Sequence, residues 1–208
     1  MRKISVISVM AAILLCACVK LTTYPIQLHY APEGAGPEPS SKLGRKTVTV
    51  ATFKDNREIP DKFVIGREIG IGGKQMPFVS SKGYPSDNVT AAFKSYLEKR
   101  GYTVRKESPN WNLDHRIIKP QWGDCVVGGT IDELSVMVST GYVKTVYDCK
   151  LTMKVTVADA QQKKGKFSER IELSSSHTRV GFKLETAEKM INTLLSDAIE
   201  RTMVELEK

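Results

Sequence analysis

Residues 147–157 read YDCKLTMKVTV. Tyr147, Cys149, Leu151, Met153, Val155 and Val157 alternate with Asp148, Lys150, Thr152, Lys154 and Thr156. That is the period-two pattern of a strand with one dry face and one wet face. Upstream, Val126 to Val138 forms its partner across a turn at Gly141, but the partner changes phase. Val127 and Ile131 lie in one register; Leu134, Val136 and Val138 lie in the other. A slip of one residue flips every side chain, so the change predicts a β-bulge near Asp132-Glu133. A third long strand, about Gly165 to Arg179, follows the turn DAQQKKG. Pairing Val138 near Thr145 sets Cys149 opposite about Leu134. Cys125 is then roughly 30 Å away along the strands, well beyond the reach of a disulfide, whose Cα atoms lie within about 7 Å.

After these strands comes an amphipathic helix, about Leu184 to Glu207. Ala187, Met190, Ile191, Leu194, Leu195, Ala198, Ile199, Met203 and Leu206 form its apolar face. A second helix precedes the long strands. Pro85, Ser86 and Asp87 supply its turn and cap chemistry, Val89, Ala92, Phe93, Tyr96 and Leu97 its stripe, and Gly101 its stop. A strand is expected over Thr47–Phe53 and a short one in YTVRK. Residues 59–84 read as extended fragments with a long loop, and residues 107–123 as irregular. Two amphipathic helices and a sheet with one polar face define the fold class: α+β, a two-layer α/β sandwich, mostly antiparallel, with both helices on one face.

The chain opens MRKISVISVMAAILLCACVK. Arg2 and Lys3 precede an apolar run of about a dozen residues, short of the roughly 20 that span a bilayer and typical of a secretory signal. The run ends in Leu15, Cys16, Ala17 and Cys18, which resembles a bacterial lipobox with Cys18 at the cleavage site. In proteins with this motif the thiol receives diacylglycerol, the chain is cut before it, and the freed amine is acylated, as with palmitate. Two fatty chains are enough for stable anchoring. The expected organisation is a signal peptide over 1–17 and a lipid-anchored flexible tether over 18–46. A single periplasmic α/β domain would fill 47–208. Within the tether, Tyr24, Ile26, Leu28 and Tyr30 alternate as a short extended segment able to dock on a sheet edge. APEGAGPEPSSKLG then reads as linker. Val19, rather than Asp, after the lipidated Cys18 favours the outer membrane over the inner one, facing the periplasm.

The net charge of +8 includes Arg2 and Lys3 of the leader, and cations are interspersed with acids. No run of five like charges appears, so no nucleic-acid partner is expected. The Gly-rich stretch IGREIGIGGKQ fails both phosphate-binding patterns. A Walker loop ending at Gly73-Lys74 has Glu68 and Gln75 where it needs Gly and Ser or Thr, and the dinucleotide pattern meets Gln75 at its last position. His29, His115 and His177 lie far apart and no C-x-x-C occurs, so neither metal nor cofactor is expected. LSSSHTR lacks a nucleophile elbow, and Ser175 and His177 merely share one face of a strand. No catalytic residues are expected. Asp55 and Arg57, just past a strand end, are candidates for a partner-binding loop, with an Asx-type turn at Asp55-Asn56 as the simpler reading. Trp111 and Trp122 read first as core or loop anchors, and otherwise as apolar platforms for a ligand.

TVTVATFKDNR, LEKRGYTV, VSTGYVKTVYDCKLTMKVTVADA, KFSERIELSSSHTRVGF and AEKMINTLLSDAIERTM together with the lipobox resemble the YajG family of bacterial lipoproteins. The loop from Glu58 to Tyr84 and the stretch Trp111–Trp122 depart from that pattern. The resemblance implies an envelope lipoprotein and carries over no catalytic residue. The expected function is non-enzymatic: an accessory or scaffold protein, anchored to the membrane through its lipid, with an envelope protein partner. The alternative is a binding module for lipid, lipopolysaccharide or peptidoglycan fragments.

Overall fold

The computed structural model describes residues 22–34, 38 and 46–207. The expected leader, the expected lipobox (Leu15, Cys16, Ala17 and Cys18) and most of the expected linker lie outside the described residues.

A single strand organises the sheet. β7 (Cys125–Thr140) pairs along its whole length, antiparallel, with β8 (Thr145–Asp159), which pairs in turn with β9 (Lys164–Arg179). The other edge of β7 is divided among short parallel strands. β2 (Thr47–Val50) lies beside Cys125–Val127, β3 (Lys54–Asp55) beside Thr130–Ile131, and β4 (Val64–Ile69) beside Val136–Ser139. β6 (Thr103–Val104) extends the sheet past β2, while β5 (Gln75–Ser80) and β1 (Tyr24–Ile26) extend it past β4. Antiparallel pairing therefore dominates by length, and the short additions are mostly parallel.

The bulge sits where the phase changes. Ile131 faces Met153 and Glu133 faces Thr152, which leaves Asp132 as the extra residue. It restores Val127, Ile131, Leu134, Val136 and Val138 to one buried face. Asp132 itself turns to the opposite face, where it accepts from Thr130 Oγ1 at 3.0 Å and from Arg170 of β9 at 2.5 Å. The β7–β8 register is two residues tighter than expected. Thr140 pairs with Thr145, so Cys149 faces Val136, and Gly141 N–H donates to Lys144 C=O at 2.9 Å to close the turn. Cys125 faces Asp159 at the far end of the ladder, and both thiols are free and buried.

α1 (Pro85–Arg100) begins with Pro85 at its first turn and Asp87 near its positive end. It stops at Gly101, which adopts φ 98°. α2 (Leu184–Glu207) buries Ala187, Ile191, Leu194, Leu195, Ala198, Ile199 and Met203. Both helices contribute to the main core on one face of the sheet, as the sequence pattern predicts. Residues 107–123 are irregular but not idle. Trp111 and Ile118 cover Val126, Ala158 and Ala160 on the sheet's other face as a second small core. Gly128 lies under Trp111, and a Cβ there would come within 2.9 Å of the indole.

Residues 59–84 differ from expectation. They form a regular hairpin, β4 and β5, rather than fragments and a long loop. A register shift between Val64 and Gly66 breaks the alternation that would have revealed it. Gly66 itself has φ 151°, and a Cβ there would lie 1.8 Å from Val136 O, so β4 can approach β7 only with glycine at that point. The Gly-rich stretch is the turn of this hairpin, with a single 3-10 turn at Ile71–Gly73.

Candidate functional site

Residues 24–31 are stitched to the rest of the domain. β1 adds to the edge of β5 with Tyr24 beside Phe78 and Ile26 beside Ser80. Ile26, Leu28 and Tyr30 are buried, as their alternation predicts. Between them the backbone meets a polar ladder on α2. Gln27 N–H donates to Glu188 Oε2 at 3.3 Å, His29 N–H to Asn192 Oδ1 at 2.9 Å, and Ala31 N–H to Ser196 Oγ at 2.8 Å. Asn192 also donates from Nδ2 to Gln27 O at 2.9 Å. Tyr30 closes the series, donating to Glu200 Oε1 at 2.6 Å, with its ring edge-on to Tyr96 and the Lys99 ammonium 5.0 Å from its centroid. Burial, then the hydrogen bond and charge of Glu200, push the Tyr30 hydroxyl well above its ordinary pKa.

Glu188, Asn192, Ser196 and Glu200 recur every four residues, one line along a helix. An extended strand presents alternate N–H groups at about 6.6 Å and a helix presents every fourth side chain at about 6 Å, so the two repeats match. Asn192 and Ser196 are buried polar residues because they satisfy this backbone. The four-residue polar spacing flanking an apolar face was the available sequence signal.

Asp55 and Arg57 are brought together, inside rather than outside. Arg57 Nε donates to Asp55 Oδ1 at 2.9 Å and Nη2 to Oδ2 at 2.7 Å. Its other contacts are the carbonyl oxygens of Val64 at 2.9 Å, Lys62 at 2.7 Å and Leu134 at 3.4 Å. Only 4% of the side chain is exposed, so the guanidinium ties the β3 end to β4 and β7. Burial alone would raise Asp55; the hydrogen bonds and charge of Arg57 outweigh it and hold the carboxyl below its ordinary value. Trp111 is likewise a packed residue, its indole N–H donating to Asp114 O at 2.9 Å. Trp122 lies half-buried beside it, with its carbonyl accepting from Thr49 Oγ1.

Two grooves flank the N-terminal half of α2. One, of about 820 Å³, lies between the helix and residues 29–34. The other, of about 700 Å³, lies between the helix and the end of β9. Ser175, His177, Arg179, Met190, Leu194 and Asp197 line the second. All of Ser174–His177 border the groove, and Arg179 Nη1 donates to Thr186 Oγ1 at 2.7 Å. Burial, reinforced by Glu200 and Glu33, raises the Asp197 carboxyl. Among the described residues, no group of three or more His, Cys, Asp or Glu is placed to hold a metal. Nor, among them, is any helix long and apolar enough to cross a membrane.

No family model and no curated protein matches this sequence. Solved structures do. Protein XCC0632 from Xanthomonas campestris, of the DUF330 family, aligns at a TM-score of 0.53 over 89% of this chain and 97% of its own, at 10% identity. Two other structures align at lower scores. Lipoprotein GNA1162 from Neisseria meningitidis gives 0.39 over 76% and 98%, at 11% identity. The hypothetical protein CT253 from Chlamydia trachomatis gives 0.41 over 76% and 93%, also at 11%. At such identities a shared chain path speaks for architecture alone. The chain therefore carries the α+β fold seen in a DUF330 protein.

Proposed function

We propose that this protein is a non-enzymatic lipoprotein, anchored through acylated Cys18 to the outer membrane and facing the periplasm, where it serves as an accessory or scaffold component of an envelope complex. The observation that carries this reading is Leu15-Cys16-Ala17-Cys18 placed directly after a short apolar run with a basic start. The likeness to YajG-family lipoproteins belongs to the same reading. The strap supports it: β1 and residues 27–31 are bonded to the sheet and α2, so a pull on the anchor is borne by the core. Crosslinking in cells followed by mass spectrometry tests it, comparing the native protein with Cys18→Ser. The expected result is an envelope protein partner recovered with the native chain and lost when the anchor is removed. Recovery of no envelope partner from abundant native protein contradicts the scaffold role.

The groove between α2 and β9 favours a second reading, a binding module for lipid, lipopolysaccharide or peptidoglycan fragments. Its wall joins the apolar Met190 and Leu194 to the polar Ser175, His177 and Arg179. Organic extraction of protein purified from membranes should then yield a stoichiometric lipid or glycan; a clean extract rejects it.

A further inference from the structure

At one end of the sheet the loops carry apolar side chains that the fold leaves uncovered. β4 runs parallel to β7 and β8 runs antiparallel to it, so Ile69, Ser139, Thr140, Thr145 and Arg179 mark one end of the sheet. The connections beyond them share that end. Tyr142 and Val143 occupy the corners of the β7–β8 turn and are 91% and 78% exposed. Val180, just past β9, is 82% exposed, and Ile71, the one large side chain in the Gly70–Gly73 turn, is 49% exposed. Corners of tight turns ordinarily take Gly, Asn or Asp, so turn chemistry does not account for Tyr142-Val143. Other exposed apolar residues are dispersed: Phe63 and Tyr84 stack on each other at 4.3 Å, and Ile117 and Val204 stand apart from this end. The opposite turn of the long ladder carries Gln161, Gln162 and Lys163.

The N-terminal segment enters at this same end. Tyr24 is beside Phe78, which places Thr22 level with the start of β5, and the Tyr24 ring lies 4.8 Å from Phe182 in the β9–α2 connection. From Cys18 to Thr22 the chain can reach at most about 14 Å. Cations surround the apolar tips: Lys74, Lys144 and Lys183 are all exposed. Of the acids here, Glu68 is buried and accepts from Thr140 Oγ1 at 2.8 Å, and Glu185 is exposed.

We propose that this end of the sheet is a membrane-docking face, seated in the interface of an anionic phospholipid bilayer with Tyr142, Val143 and Val180 at the headgroup–acyl boundary and Lys74, Lys144 and Lys183 at the phosphates. Tyrosine suits that boundary, with an apolar ring and a polar tip, and lysine stems reach from apolar surroundings to charge. The proposal rests on the lipid-anchored reading. The anchor holds the domain at high effective concentration near the bilayer, so a small apolar contact is enough to fix its orientation.

The test uses the full chain as purified from membranes, reconstituted into phosphatidylcholine vesicles containing phosphatidylglycerol. Nitroxide labels are placed at Val143→Cys and, separately, Gln162→Cys. The mass of the N-terminal peptide reports acylation independently. The expected result is flotation with the vesicles, a several-fold drop in collision with an aqueous relaxant at position 143, and little change at position 162. Flotation with both labels equally exposed to water overturns the docking face and leaves the anchor intact. Failure to float by a chain whose N-terminal peptide carries the acyl groups overturns the face, and an unmodified peptide overturns the anchored reading on which the face rests.

Discussion

Arg57 puts a charge among backbone oxygens with one carboxylate to balance it. Asp55→Asn leaves that guanidinium buried without a counter-charge, a change that costs about 3–5 kcal/mol. Urea unfolding should show a loss of that order, and the double variant Asp55→Asn with Arg57→Met should recover part of it. The same pair sets an acid limit. Because Asp55 is held below its ordinary value in the folded protein, its contribution is fully present above the unfolded carboxyl pKa near ~3.9. It is lost as pH falls through the folded value, so the acid transition of the native protein should be steeper than that of the double variant. Cys149 faces the opposite demand: burial, with Asp148 nearby, pushes its thiol up to about 12. Native protein near neutral pH should therefore resist alkylation at Cys149 and gain the adduct only in denaturant, as mass spectrometry of the peptide would show. Asp55 and Arg57 stood out in the sequence as strand-end polar residues. Their burial did not, because the three carbonyls that hold Arg57 come from residues 62, 64 and 134.

The strap and α2 are matched by spacing, and the match can be broken at one residue. Asn192→Leu removes the acceptor of His29 N–H and one donor to Gln27 O; His29 N–H is left unpaired, while the His29 ring Nδ1 stays 2.9 Å from Gln27 O. A loss of about 1–3 kcal/mol is expected. Amides of residues 27–31 should lose hydrogen-exchange protection while those of β7 and β8 keep theirs; equal loss in both would mean the strap is not a separable element. What could be read from sequence at this scale followed periodicity. The bulge at Asp132, the apolar face of α2 and the extended segment Tyr24–Tyr30 each declare a repeat of two or about 3.6. The β4–β5 hairpin was hidden because a register shift at Val64–Gly66 interrupts its alternation. The exact β7–β8 pairing was hidden because one Gly in STGYVKT does not fix which residues close the turn. The cover over the second face was hidden because Trp111 and Ile118 sit in coil, where no period marks them. There, Gly128→Val should displace the Trp111 ring at a cost of about 1–3 kcal/mol, visible as a red shift in tryptophan emission; an unshifted spectrum would mean the ring is not seated on Gly128.

For the whole molecule, the described structure shortens the expected tether. Tyr24 onward belongs to the sheet edge and the helix ladder, so few residues remain between Cys18 and the folded body. On the proposed lipid-anchored reading, so little slack would hold the domain close to its bilayer with one end toward it. The grooves along α2, the long edge of β9 and any scaffold surface would then face away or sideways, at a height set by the fold. All of this depends on what happens at one thiol. The most direct measurement is the mass of the N-terminal peptide of protein isolated from its own envelope. The account predicts a chain that begins at Cys18 and carries diacylglycerol on sulfur and a fatty acyl group on the amine. A peptide beginning at an unmodified Cys18, or one that still contains residues 1–17, would contradict it.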